Sequence, residues 1–189
     1  MILFDRAKKI LLTPTEEWPV IKAESLSVAD MYTRYAMILA AIPAVAGLIG
    51  QSVIGRPIVG VQIRSSFFDG FTYAVLTYAL SLAAVYILGM IIDNLAPTFG
   101  CRKDFPTSLK VAVFSYTASW VAGVFQIIPA LSWLSILGLY SLYLMYLGLR
   151  ELKEVPADKM LGYYSFTLVA AVVIWIIIGT VVSLIVLGT

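Results

Sequence analysis

YYSFTLVAAVVIWIIIGTVVSLIVL, residues 163–187, contains no charged side chain over its whole length. As a helix it rises about 37 Å, enough to cross a hydrocarbon core of about 30 Å, and so long an uncharged run marks a membrane span. Four further apolar segments of spanning length lie near 33–54, 69–92, 108–128 and 131–149, with Pro43 and Pro129 interrupting their pattern. The expected fold is an all-α integral membrane protein, five transmembrane helices in a bundle preceded by a short N-terminal amphipathic, interfacial helix. Residues 1–31 form the segment before the first span and residues 32–189 the five-helix domain.

Composition points the same way. Of 189 residues, 61% are hydrophobic and 13% charged, outside the range of soluble domains. Histidine is absent and cysteine occurs once, at Cys101. The usual neutral-pH proton shuttle, a thiolate metal cluster and an intramolecular disulfide are thereby unavailable. No pattern of acid, base and nucleophile is visible, so a non-enzymatic protein without cofactor or metal is expected. The start, MILFDRAKKILLTPTEEW, has charges on both sides of a short apolar run and reads as no cleaved signal peptide.

Orientation follows from the basic residues. Arg6, Lys8, Lys9, Lys22, Arg34, Arg102, Lys103, Lys110, Arg150, Lys153 and Lys159 fall on one side of a five-span arrangement, and only Arg56 and Arg64 on the other. Eleven against two predicts a cytoplasmic N terminus and a far-side C terminus, because cytoplasmic loops hold the Lys and Arg excess. Between the third and fourth spans only IIPALS intervenes, which predicts a tight helical hairpin.

Small residues supply the packing that lipid does not drive. Ala36, Ala40 and Ala44, then Ala79 and Ala83, then Ser115, Ser119 and Gly123 recur every fourth residue, for contacts within the bundle or with a second copy of the chain. Tyr140, Tyr143 and Tyr146 form a stripe in the fourth span, either an aromatic belt at the headgroups or one wall of a lipid-tail crevice. Asp93 and Asp69 close and open the second span, and Gln51 and Gln126 lie deeper. The aspartates read as solvated helix ends or as polar points of a transport path.

In TPTEEWPVIKAE, residues 13–24, Thr13, Pro14 and Glu16 suggest a capped helix start, and Pro19 an interruption. Upstream, Phe4, Ala7 and Leu11 share one face of a basic amphipathic helix suited to the headgroup layer, with Arg6 and Lys9 elsewhere. Trp18, Val20 and Ile21 extend that surface, and Glu16, Glu17, Lys22 and Glu24 are expected to face water. Trp18 and Glu17 are the candidate contacts to a partner or lipid here; Asp93, Pro97, Tyr140 and Tyr143 are the others. Turn residues Pro97, Gly100, Pro106 and Pro156 bound two short charged loops. Cys101, beside Arg102 and Lys103, is either an acylation site or an idle thiol.

Taken in order, RAKKILLTPTEEWPVIKAES (6–25), MYTRYAMILAAIPAVAGLIG (31–50), IIDNLAPTFG (91–100) and IIPALSWLSILGLYSLYLMYLGLRELKEVPADK (127–159) resemble the bacterial branch of the YIP (Ypt-interacting protein) family over nearly the whole chain. The resemblance implies five helices, a cytosolic N terminus and the bacterial inner membrane. Eukaryotic relatives are associated with Rab-type GTPases and membrane traffic. Here ADMYTRY stands where they carry an acidic DLYGP-type segment, so the resemblance does not extend to a Rab partner. The expected function is a scaffold, adaptor or membrane organiser, with membrane lipids, a second copy or a protein at the cytoplasmic face as partners and no nucleic acid. The alternative is a small transporter or channel working through the bundle interior around Asp93, Gln126 and Tyr140.

Overall fold

The computed structural model describes residues 3–58, 61–64 and 66–187. Five helices cross the apolar layer, Val28–Ile54, Phe67–Phe99, Phe105–Ile127, Pro129–Leu152 and Ala157–Ile185, each overlapping the segment expected from sequence. Ahead of them, α1 (Leu3–Leu12) and α2 (Pro14–Ala23) make a helical hairpin. A feature not foreseen sits between the first two spans. There Gly55, at φ 83°, leads into a short antiparallel pair, Arg56–Ile58 with Val61–Ile63, in which Ile58 opposes Val61. The β-branched residues Ile58, Val61 and Ile63 favour extended backbone once the chain has left the helix.

The third span is the hub. In its most apolar stretch 72% of residues are buried, against 17% in the fifth span. It packs against the first, second and fourth spans, while the fifth leans mainly on the second. Close approach comes from small residues, as expected for Ser115, Ser119 and Gly123. The Ser119 hydroxyl donates to the Gly138 carbonyl at 3.1 Å and lies 2.9 Å from the Ser141 hydroxyl, which joins the third and fourth spans. A Cβ on Gly123 would come within 2.5 Å of Pro43 Cβ, so the ring of Pro43 fits only against glycine. Pro43 does not interrupt the first span, which stays helical through it, and Pro129 opens the fourth after extended Ile128. Ala36, Ala40 and Ala44 are buried in the bundle, whereas Ala79 and Ala83 face outward and take no part in it.

Several spans depart from α geometry. The first has π turns at Tyr32–Ala36 and Ile49–Ile54, and the third passes through a break at Tyr116 into a 3₁₀ stretch, Gly123–Ile127. The fourth is 3₁₀ over Pro129–Leu139 and α from Tyr140. Every such segment keeps its hydrogen bonds local, the condition for backbone surrounded by lipid.

The helices are longer than a bilayer requires. At 33 residues the second span is about 50 Å long, against a hydrocarbon core of about 30 Å. Measured from their far ends, about 26–32 Å of helix reaches Arg34 in the first span, Tyr86 in the second, Tyr143 in the fourth and Tyr164 in the fifth. These positions form a ring of aromatic and basic side chains, as a membrane surface would select. Beyond it, at the end that carries eleven of the thirteen Lys and Arg, the surplus turns and the α1–α2 hairpin form a second, densely packed layer. Below, this is the basic end.

Candidate functional site

Two buried polar clusters hold the basic end together. The first begins with Arg6, whose neighbours on the inner face of α1 are Ala7 and Ile10. Arg6 is 5% exposed, and its guanidinium donates to Glu17 Oε1 at 2.6 Å and to the carboxylate of Glu24. Its carbon Cζ lies 5.8 Å from the centre of the Phe114 ring, which in turn packs 4.8 Å from Tyr35. The Tyr35 hydroxyl is 2.8 Å from Thr117 Oγ1, tying the π turn of the first span to the break in the third. From the third span Lys110 reaches up, donating to the carbonyl of Ile21 at 3.0 Å and to that of Glu24. Those carbonyls close a helix C terminus, which has no partners of its own and attracts a cation.

Trp18 seats the hairpin on the fourth span. It is 1% exposed, and a Cβ on Gly148 would lie 2.7 Å from its ring, so this face of the helix must be bare. The indole N–H has no protein partner, and neither does the buried hydroxyl of Ser115.

The second cluster joins the loops after the second and fourth spans. Asp93 is buried, and its Oδ1 accepts the Asp104 backbone N–H at 2.7 Å with Ser108 Oγ 3.1 Å away. The side chain of Asp104 makes no cap hydrogen bond to its own helix, and the carboxylate of Asp93 from the second span instead receives the N–H of this N-cap residue. Lys153 stands 3.9 Å from Asp93 and donates to the Arg102 carbonyl at 2.8 Å and to Ser108 Oγ at 3.0 Å. Burial pulls the Lys153 ammonium below its ordinary value, against the opposing fields of Asp93 and Asp104. The Tyr163 hydroxyl donates to the Ile92 carbonyl and anchors the fifth span to the same corner.

A third, exposed link runs from α2 to the end of the fourth span, where Lys22 donates to Glu154 Oε1 at 2.7 Å and lies 3.8 Å from Glu151. Glu154 raises the Lys22 ammonium, chiefly by its hydrogen bond, and is itself held below its ordinary value by Lys22.

The sequence-predicted residues fall into three groups. Glu17 and Trp18 are in the first cluster, but inside it: Glu17 is 2% exposed, paired with Arg6 and not turned to water. Asp93 is in the second cluster as a helix-capping ion-pair partner, not a solvated end. Pro97 is exposed on a 3₁₀ turn, Ala96–Phe99, while Tyr140 and Tyr143 point outward with ring centres 5.5 Å apart. Both rings stand on the outer surface of the bundle. The residues named for a transport path are not brought together: Asp93 is at the basic end, Gln126 is near Gly47 at the other, and Tyr140 faces away from both.

Other details are corrected. Thr13 is the N-cap of α2 without a side-chain cap bond, its hydroxyl turning back to the Lys9 carbonyl at 3.2 Å, so no capping box forms. Pro19 lies inside an unbroken α2 as its sixth residue of ten; its missing N–H removes one hydrogen bond, which packing by Trp18 and Ile21 offsets. On α1 the core face is Arg6, Ala7 and Ile10, with Phe4 exposed. Cys101 is buried, and burial pushes its thiol up against the pull of Lys153 and Lys159, which disfavours acylation. Sequence reasoning missed Arg6, Glu24, Ser108, Lys110 and Lys153. The signal for Lys110 was a lysine within SLKVAVFS, the third residue of that stretch and directly ahead of the apolar run VAVF.

A family model for the Yip1 domain matches residues 8–185, which takes in most of the hairpin as well as the five spans. The chain is similar to the inner membrane protein YohC of Escherichia coli (strain K12), 28% identical over 167 residues that cover 85% of each chain. The inner membrane protein YohC of Escherichia coli O6:H1 matches with the same identity and coverage. No solved structure matches.

Proposed function

We propose, on the premise that this chain belongs to the Yip1 domain family, that it is a non-enzymatic scaffold or adaptor of the bacterial inner membrane. Its basic end faces the cytoplasm in this reading, in keeping with the distribution of Lys and Arg. The observation that carries the proposal is the construction of that end. The buried Arg6–Glu17 pair ties α1 to α2, and the hydrogen bonds of Lys110, the Arg6–Phe114 stack and the Trp18 seat fasten that hairpin to the third and fourth spans. The Lys153–Asp93 pair joins the fourth span to the second, and together these contacts support a rigid charged platform. Rigidity suits a surface that holds a partner in register, since little ordering is left to be done on binding. Lys8, Glu16, Lys103, Arg150 and Lys159 are exposed around its rim and supply charge for recognition.

The test uses photo-crosslinking residues at Glu16 and Lys159 on the platform and at Trp133 on the lipid-facing far half, irradiated in intact cells. The expected result is one protein captured reproducibly from both platform sites and not from Trp133, with capture lost when Lys103 and Arg150 are changed to Glu. Capture of lipid alone, or of this chain alone, at all three positions overturns the adaptor reading.

A further inference from the structure

The hairpin leaves one face of α1 without a protein partner. Leu3, Ala7 and Ile10 turn toward the bundle with Arg6, and the opposite side carries Phe4, Lys8 and Leu12, spaced at i, i+4 and i+8 along one line. Phe4 is 70% exposed and Leu12 69%. Among the described residues outside the five spans, the large apolar side chains left exposed are Phe4, Leu12 and Val20 on this hairpin and Ile128 in the turn between the third and fourth spans at the far end. Lys9 and Asp5 flank the line, so its charge is net positive.

The height of α1 says what lies against that face. Arg6 stacks over Phe114, Phe114 packs on Tyr35, and Tyr35 bonds Thr117. Tyr35 follows Arg34, which is about 30 Å of helix from the far end of the first span. Helix α1 also touches the Thr117–Ala122 stretch of the third span. It therefore lies at the level of the tyrosine ring, at the bilayer surface, with Phe4, Lys8 and Leu12 on its exposed side. A cationic line bordered by a phenyl ring and an isobutyl group at that height matches a leaflet with anionic headgroups above acyl chains.

We propose that the Phe4–Lys8–Leu12 face of α1 is a docking surface for the anionic phospholipid leaflet at the basic end. Phe4 and Leu12 enter the acyl region, and Lys8, with Lys9 beside it, extends its stem to the phosphates. This differs from the interfacial face expected from sequence, which grouped Phe4 with Ala7 and Leu11, because Arg6 draws Ala7 inward. The proposal does not depend on the adaptor reading, since a lipid-docked α1 holds whether or not a protein binds the platform.

The test places nitroxide labels one at a time at Phe4→Cys, Leu12→Cys and, as a water-facing control, Glu16→Cys. The full chain carries Cys101→Ser and is reconstituted in bilayers with and without phosphatidylglycerol. Collision with oxygen reports acyl depth, and collision with a water-soluble nickel chelate reports aqueous exposure. In phosphatidylglycerol bilayers, labels at 4 and 12 are expected to be severalfold more accessible to oxygen than to nickel, the reverse of label 16. Lys8→Glu with Lys9→Glu raises nickel access at both sites while the thermal midpoint stays unchanged, which separates lost docking from lost folding. Equal nickel access at positions 4, 12 and 16 overturns the proposal. So does shielding of 4 and 12 from both reagents, which would mean that protein covers the face, and so does indifference to phosphatidylglycerol.

Discussion

The halves of this molecule on either side of the tyrosine ring follow different rules. On the far side, spans touch through Gly, Ala and Ser, much of the fourth span is 3₁₀, and Trp133, Leu137, Trp175 and Ile177 are left exposed on the outside. In lipid an exposed leucine costs nothing, so these helices need only close contact and satisfied backbone. At the basic end the same helices bury Leu88, Ile92, Leu109, Leu144 and Leu149 completely and add buried ion pairs. There water is available, the hydrophobic effect operates again, and one continuous helix obeys both regimes along its length.

That contrast is broken most sharply by opening the first polar cluster. Arg6→Ala leaves Glu17 buried without its partner, and removing one member of a buried pair typically costs about 3–5 kcal/mol. The expected outcome is a hairpin that detaches while the spans stay folded, seen as rapid proteolysis within residues 1–27 and unchanged helix content in detergent. If the spans unfold together with the hairpin, the two halves are one cooperative unit and the contrast is only geometric. Glu17→Ala has the same effect, and the double variant costs less than the sum of the two, as expected for residues sharing one contact.

Next in size is the tryptophan seat. Gly148→Leu forces the Trp18 ring away, an overpacking cost of about 1–3 kcal/mol, and Trp18→Ala in the same chain restores part of the lost thermal midpoint. A leucine placed at exposed Ala83, on the lipid side, is expected to leave the midpoint where it was.

The second cluster gives a smaller, pH-dependent effect. Burial depresses the Lys153 ammonium from its ordinary 10.5, so the unfolded chain binds more protons than the folded one in the window below that value. Stability therefore rises with pH across the window up to 10.5, and Lys153→Met removes this rise. A wild-type slope equal to that of Lys153→Met in denaturation curves on the alkaline side would falsify the assignment.

The exposed link is smallest. Glu154 is held below its ordinary 4.5 by Lys22, so whatever this pair contributes is present above 4.5 and fades as pH falls through the lowered value. Fully solvated pairs contribute little and are screened by salt. Glu154→Gln is expected to leave the thermal midpoint unchanged at physiological salt.

Much of the far half was legible in the sequence, because span number and span position depend on the length of uncharged runs and nothing else. The distribution of basic residues also marked the two ends. The polar clusters were not legible, and the reason is specific. Periodicity assigns Arg6, Glu17 and Glu24 to water, since each is costly to bury alone, and their partners lie 11 and 18 residues apart on separate helices. Lys110 and Lys153 were counted as loop charges that set orientation, when the Lys110 ammonium also closes the end of α2 and that of Lys153 ties the Arg102 loop to Ser108. Trp18 was assigned to a partner or lipid surface, whereas its ring is buried within the chain, because the bare patch that receives it, Gly148, is 130 residues away.

The surplus length of the helices bears on how the protein would respond to its bilayer. A membrane that thickens or thins imposes a mismatch on any span, ordinarily relieved by tilt or by local deformation at either end. Here one end is fixed: the Lys110 hydrogen bonds to α2, the Trp18 seat on Gly148 and the Lys153–Asp93 pair hold the relative heights of the second, third and fourth spans. Strain from a change in thickness must then pass to the other end, where 3₁₀ turns, a π turn and the short hairpin after Gly55 can lengthen or unwind at low cost. The molecule thus has a stiff side and a compliant side, and bilayer mechanics would be read out at the far surface while the platform keeps its shape.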